Sequence, residues 1–218
     1  MKAALRPEAA AEMIPENAVL LVGGFMGTGS PHRLIEAIRL RGTRGLTVIC
    51  NDLCTPEKGV GKLVASGQVS RAIVSHIGLN PLAQKKMIAG DMEIELVPQG
   101  TLVERIRAAG YGLGGVLTAT GLGTPVEDGK QIVEVDGKRF LLERPIHGDF
   151  ALLACHHADY AGNLGYLLTA HNFNPIMALA ATTVIAEAEH IVPVGMIPPD
   201  AVKTPGVLVD HLLGTGPC

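Results

Sequence analysis

The sequence predicts an α/β fold: a mainly parallel open sheet covered by helices on both faces, with a small antiparallel hairpin insertion. Three observations lead there. Short runs of Val, Ile and Leu without polar alternation recur along the chain, as strands buried on both faces require. Amphipathic segments with start and stop signals separate many of them. Hydrophobic residues make up 47% of the 218 while aromatics make up 3% and Trp is absent, so the core is aliphatic, and 27 Gly with 14 Pro demand many tight turns.

In chain order, the opening MKAALRPEAAAEMIPEN is too acidic for a secretory or transit peptide. AVLLV (18–22) is the first buried strand, and the glycine-rich GGFMGTGSP (23–31) follows it. Ser30 is placed to cap a helix with Pro31 at its first position, Leu34, Ile35 and Ile38 on one face, and Gly42 as its stop. LTVIC (46–50), RAIVS (71–75) and EIELV (93–97) continue the strand series. Thr101 and Glu104 spell a T-x-x-E capping box for a helix with the stripe Leu102, Val103, Ile106, ending at Gly110. Loop-making residues crowd 110–129, after which QIVEV, Asp136-Gly137 and KRFLL read as a hairpin with a type I′ turn, on or beside the parallel sheet. FALLAC (150–155) and TVIAEA (183–188) complete the strands. With no internal repeat and no clean linker, residues 1–218 are expected to form one domain.

Charge and cysteine usage narrow the function classes. The 18 basic and 21 acidic residues give a net charge of −3, which does not suit a chain made to coat nucleic acid. No apolar run reaches the roughly 18 residues that cross a bilayer. Cys50, Cys54, Cys155 and Cys218 have neither the density nor the spacing of a disulfide or zinc framework, so a reducing cytoplasm is expected.

Three places can carry chemistry. Between a buried strand and a helix, the glycines of 23–31 would free backbone amides for an anion or a carbonyl oxygen and let a bulky ligand approach; a plain tight turn is the alternative. Gln99 stands just before a helix at the carboxyl end of a strand, where open parallel sheets bind ligands, and its amide suits a carboxylate or oxyanion unless it merely bonds nearby backbone. Asn51 occupies another such strand end, with an Asx turn as the competing reading. Glu104 reads as a cap rather than an acid or base. Gly110, Gly112 and Gly115 satisfy G-x-G-x-x-G but follow a helix, which rejects a dinucleotide site. His156, His157 and Asp159 beside Cys155 suggest a metal only superficially, because adjacent strand residues point to opposite faces. Cys50 and Cys54 read as small buried thiols.

Leu20, Leu21 and Val22 followed by Gly23, Gly24, Phe25, Gly29 and Pro31 spell three aliphatics and G-G-F-x-x-x-G-x-P. This resembles the signature of the α subunits of class I (3-oxoacid) CoA-transferases at every position of its core. ICND (49–52), SHIGLNP (75–81), LVPQGTLVERIRAAG (96–110), GLGGVLTATGLGT (112–124), GNLGY (162–166), NFNP (172–175) and TPGVLVD (204–210) are similar to that family in the same order, over nearly the whole chain. The look is nearest to the acetate/butyrate–acetoacetate subunits. One departure is Glu16-Asn17, where the family usually has Asp-Gly.

The resemblance implies a CoA-transferase-like fold and a transferase that moves CoA between a short-chain acyl-CoA and a carboxylate such as acetoacetate, acetate or butyrate. It implies ping-pong chemistry through a glutamyl-CoA thioester, with CoA as a substrate and no permanently bound cofactor or metal. Gly23, Gly24, Phe25, Met26, Gly27, Thr28 and Gly29 are then expected to contact CoA, while Gln99 and Asn51 shape the pocket around the thioester. The family's nucleophilic glutamate belongs to the β subunit in a Ser-Glu-Asn-Gly setting, and these 218 residues contain no such motif. The expected assembly is therefore a heterodimer or an α2β2 heterotetramer, with neither nucleic acid nor membrane as partner. Tyr111 replaces a small residue and is a candidate for the acyl pocket. The competing functions are a 3-oxoadipate transferase subunit, a sugar-phosphate isomerase working alone, and a non-catalytic CoA-binding subunit.

Overall fold

Strand runs that are apolar at every position need cover on both faces, and the chain provides it. A computed structural model describes residues 1–214. Its elements are β1 (Ala4–Leu5), α1 (Pro7–Glu12), β2 (Val19–Val22), α2 (His32–Arg41), β3 (Leu46–Asp52), α3 (Gly61–Ala65), β4 (Val69–His76), α4 (Pro81–Ala89), β5 (Glu93–Leu96), α5 (Gln99–Gly110), β6 (Val116–Thr118), β7 (Ile132–Val135), β8 (Lys138–Glu143), β9 (Gly148–Asp159), β10 (Leu164–Gly165), α6 (Asn174–Met177), β11 (Ala181–Val192) and β12 (His211–Leu213). All six strand runs expected from the sequence are present. The main sheet has the order β1-β12-β11-β9-β2-β3-β4-β5 with every neighbour parallel, and β10 adds to β9 antiparallel beyond the end of β2.

Alternate side chains of each strand enter different cores. Leu20, Val22, Val48, Cys50, Ala72, Val74 and Leu152 pack with residues of α1, α2, α3 and α4. Leu21, Ile49, Ile73, Ala151 and Leu153 pack on the other face with Leu102 and Ile106 of α5 and Met177 of α6. The hairpin also forms: Asp136 and Gly137 take φ of 50° and 71°, the two left-handed positions of a type I′ turn. It belongs to a separate three-stranded antiparallel sheet, β6-β8-β7, because Val116–Thr118 from the glycine-rich stretch pairs with β8.

Both expected helix caps are corrected. The helix α2 begins at His32, with Pro31 at the cap position, and Ser30 turns inward so that its hydroxyl donates to the Gly23 carbonyl at 3.0 Å. The free amides of the first turn are met from far along the chain: Arg33 and Leu34 donate to the two carboxylate oxygens of Glu187 on β11, at 3.2 and 2.9 Å. A buried carboxylate there satisfies the orphan donors and the positive end of the helix dipole together. In α5 the helix starts at Gln99, two residues before Thr101, so no T-x-x-E box forms. Thr101 is buried, and Glu104 pairs with Arg107 at 3.0 Å. The Gly42 stop is as expected, with φ of 79°.

The Glu16-Asn17 departure has a local explanation. Asn17 takes φ of 63°, a left-handed conformation that asparagine tolerates better than other residues with a Cβ.

Candidate functional site

Strand order reverses between β2 and β9: β2 to β5 run outward on one side, while β9, β11 and β12 lie on the other. Such a switch point leaves a crevice at the carboxyl ends of the strands, and the chain leaving β2 there is the glycine-rich stretch. Phe25 and Thr28 exchange both backbone hydrogen bonds at 3.0 and 2.9 Å, closing a two-residue turn in which Met26 and Gly27 have φ of 52° and 82°. The loop is thus a miniature hairpin standing at the switch point.

That geometry alters the role expected for its amides. Gly23 donates to Leu152 O, Gly24 to Asn172 Oδ1, Met26 to Asp52 Oδ2 and Ser30 to Gly27 O. With Phe25 and Thr28 paired to each other and the helix start taken by Glu187, the stretch is not an open anion cradle. Its donors are spent partly on its own turn and partly on Leu152, Asn172 and Asp52. Phe25 is half-exposed at 49%, with Met26 beside it at the mouth of a cleft.

That cleft, about 480 Å³, is lined by Phe25, Met26, Asn51, Asp52, Ser75, His76, Leu79 and Gln99. The structure therefore brings together three regions singled out from the sequence: the loop, the end of β3 and the start of α5. The Gln99 amide nitrogen donates to Asn51 Oδ1 at 2.5 Å. Gln99 lies in the first turn of a twelve-residue helix, so it is carried by a rigid element rather than a loop. Asn51 is buried and held from several directions: its Nδ2 donates to Asp52 Oδ2 at 2.8 Å, and the Ser75 hydroxyl donates to its backbone oxygen at 2.7 Å. Gln99 is exposed to the cleft while Asn51 holds it.

Asp52, on which the sequence placed no role of its own, is the anchor of this arrangement. Its carboxylate accepts from the amides of Met26 and Cys54, both at 2.9 Å, as well as from Asn51. From the other side Asn172 and Asn174 grip the loop. Asn172 Nδ2 donates to Thr28 O, Asn174 Nδ2 to Gly29 O, and buried Asn174 accepts from Ala154 N through Oδ1. A Cβ at Gly23 would meet that oxygen at 1.9 Å, and one at Gly29 would meet Ala170 O at 2.6 Å. His76, exposed at the end of β4, is a further cleft residue that sequence reasoning passed over. The available signal was its place at the carboxyl end of a parallel strand, the criterion that found Asn51.

Other expectations resolve as follows. Tyr111 follows the last residue of α5, about 18 Å along the helix from Gln99 at 1.5 Å per residue, and is 61% exposed. It does not line this cleft. Cys50 and Cys54 are buried thiols; burial foremost, with Asp52 adding, raises both, Cys54 to about 12. They are poor nucleophiles at neutral pH. Cys218 lies outside the described residues. His156 and His157 do not diverge as alternation requires: their ring centroids are 4.2 Å apart, and the His190 ring lies 5.3 and 5.5 Å from them. They sit where β9 and β11 run past the end of β2. A second cleft, about 260 Å³, lies on this side of the loop between Arg33, Cys155, His156, Glu187 and Glu189. Among the described residues no helix is long and apolar enough to cross a membrane.

With this geometry in place, comparison with known proteins gives a consistent result. The family described as coenzyme A transferase matches residues 6–214. The acetate CoA-transferase subunit alpha of Escherichia coli K12 is 50% identical over 91% of this chain and 90% of its own length. The acetoacetyl-CoA:acetate/butyrate CoA transferase alpha subunit of Clostridium acetobutylicum is 46% identical over 91% of each chain. Among solved structures, an acyl-CoA transferase of Escherichia coli O157:H7 in a thioester complex with CoA superposes with a TM-score of 0.88 at 23% identity. That match takes in 98% of this chain but 47% of the other, so this chain spans about half of that protein.

Proposed function

The chain belongs to the coenzyme A transferase family, and on that premise we propose that it is the α subunit of a heteromeric enzyme exchanging CoA between a short-chain acyl-CoA and acetate, butyrate or acetoacetate. The observation that carries the reading is the cleft itself: the 23–29 turn, Asn51 and Gln99 converge at the carboxyl edge of the sheet. No Ser-Glu-Asn-Gly motif accompanies them. This chain then supplies half of an active site, and a β subunit, in a heterodimer or an α2β2 assembly in the cytoplasm, supplies the nucleophilic glutamate.

In this scheme the partner's carboxylate attacks the thioester carbonyl, and CoA thiolate leaves as a mixed anhydride forms. The thiolate then attacks the glutamyl carbonyl and releases the first acid, leaving a glutamyl-CoA thioester for the acceptor acid to collect by the reverse steps. A carboxylate is a weak nucleophile, so rate depends on stabilising the oxyanion and on CoA binding expressed in the transition state. Gln99, oriented by Asn51, is the donor this chain offers. The turn from Gly23 to Gly29 meets CoA with its outer surface, Phe25 and Met26, because most of its amides are already bonded to protein groups.

The test is reconstitution. The purified chain, assayed with acetyl-CoA and acetoacetate, is expected to be inactive alone and to gain activity on mixing with a chain carrying Ser-Glu-Asn-Gly. Full turnover by this chain alone overturns the reading. Preference for 3-oxoadipate over acetoacetate in the mixed enzyme would reassign the acceptor.

A further inference from the structure

Nothing in the transfer scheme uses the imidazoles gathered at the far side of the loop. There β9 and β11 are parallel neighbours, with Cys155 opposite Ala188 and His157 opposite His190. Between those two pairs stand His156 and Glu189, and His156 Nδ1 lies 2.6 Å from Glu189 Oε2. One ligand atom each from His156, Glu189 and His190 falls within 4.8 Å of the others.

We propose that His156, Glu189 and His190 form a binding site for a divalent first-row transition-metal ion, with zinc as its natural probe. Two imidazoles and one carboxylate suit zinc, nickel or copper, whereas magnesium and calcium want oxygen donors throughout. Around a tetrahedral ion with bonds of 2.0–2.1 Å, ligand atoms stand about 3.3 Å apart. The 2.6 Å contact opens slightly and the wider spacing closes by rotation of side chains. Glu189 and His190 are exposed, and the adjustment asks for side-chain rotation rather than movement of the strands. The ion would take the place of the direct His156–Glu189 contact. Three protein ligands leave one position open toward the 260 Å³ cleft lined by His156 and Glu189, for water or a small anion. His157 is in ring contact with the cluster but outside its ligand set. Buried Cys155 is likewise outside it.

The experiment uses the full chain without a histidine tag, stripped by chelator and titrated with zinc chloride against a chromophoric competitor. One equivalent of zinc is expected to bind, magnesium is expected not to compete, and His156→Ala and His190→Ala each weaken binding at least tenfold. His157→Ala retains it. X-ray absorption at the zinc edge of the unmodified protein, which does not depend on any variant folding, is expected to report two imidazole nitrogens with oxygen completing the shell. Absence of stoichiometric zinc binding overturns the proposal, as does equal loss in His157→Ala or a shell without two imidazoles. The outcome is independent of transferase activity.

Discussion

Asn51 and Gln99 show how the candidate site is divided at the scale of single residues. Both are amides at strand ends, yet one is buried with its groups engaged by Asp52, Ser75 and Gln99, and the other is exposed to the cleft. Under the proposed function, Gln99→Ala in the reconstituted enzyme is therefore expected to lower kcat by about a hundredfold to a thousandfold, the loss typical of removing one oxyanion donor, with KM changing much less. Steady-state kinetics in both substrates check it, and an unchanged kcat removes Gln99 from the chemistry. These two residues were legible in the sequence because carboxyl ends of parallel strands are where ligands bind. Asp52 was not. A single acid after an asparagine reads as a local turn, which its bond to the Cys54 amide two residues on indeed makes, whereas its bond to Met26 becomes visible only once β2 and β3 lie side by side.

At the scale of elements, the sequence located strands and helix stops better than helix starts. Apolar runs and left-handed glycines are local signals, and β2, β3, β4, β5, β9, β11 and the Gly42 stop follow from them. The start of α2 is not a local matter, unlike that of α4, where the Asn80 side chain accepts from the Ala83 amide at 3.0 Å. The first turn of α2 is satisfied by Glu187, 153 and 154 residues away from its donors, so no window around Ser30 contains the answer. The exposed side of the same helix carries a second electrostatic device. Glu36 is held down at about 2, from 4.5, first by its hydrogen bond to Arg39 and then by the one to Lys62 of α3. A depressed carboxylate contributes stability that is complete above its unfolded value and disappears as pH falls through its folded one. Urea unfolding should therefore show Glu36→Gln less stable than the parent at pH 6, with the gap closing between about pH 4.5 and 2. The gap is small, because Glu36 is about one-third exposed and solvent screens the pair. A difference constant across that range would detach the ion pairs from stability.

At the scale of the whole molecule, the question is how the small antiparallel sheet is joined to the large one. Its presence was legible from Asp136-Gly137, but not its third strand, because β6 consists of three residues within a glycine-rich stretch. Arg105 is central to the join. Arg105 of α5, largely buried, donates to Glu95 of β5 at 2.7 Å and to the Arg144 carbonyl at 2.9 Å, and approaches buried Glu143 to 3.8 Å. Glu143 at the end of β8 also receives Lys130 at 2.6 Å. One guanidinium thus ties the edge of the main sheet to the chain leaving the small one. Removing it strands a buried carboxylate with a single partner, a change that typically costs about 3–5 kcal/mol when the pair is fully buried and less here, where Lys130 remains. The cost falls on the join rather than on the aliphatic cores, which Arg105 does not enter. In Arg105→Ala, amide exchange is accordingly expected to quicken in residues 116–143 at neutral pH, while β2, β3, β4 and β9 keep their protection. Hydrogen-exchange mass spectrometry reads both regions in one experiment. Uniform acceleration across the two sheets would mean that they open together and that Arg105 is not what separates their stabilities.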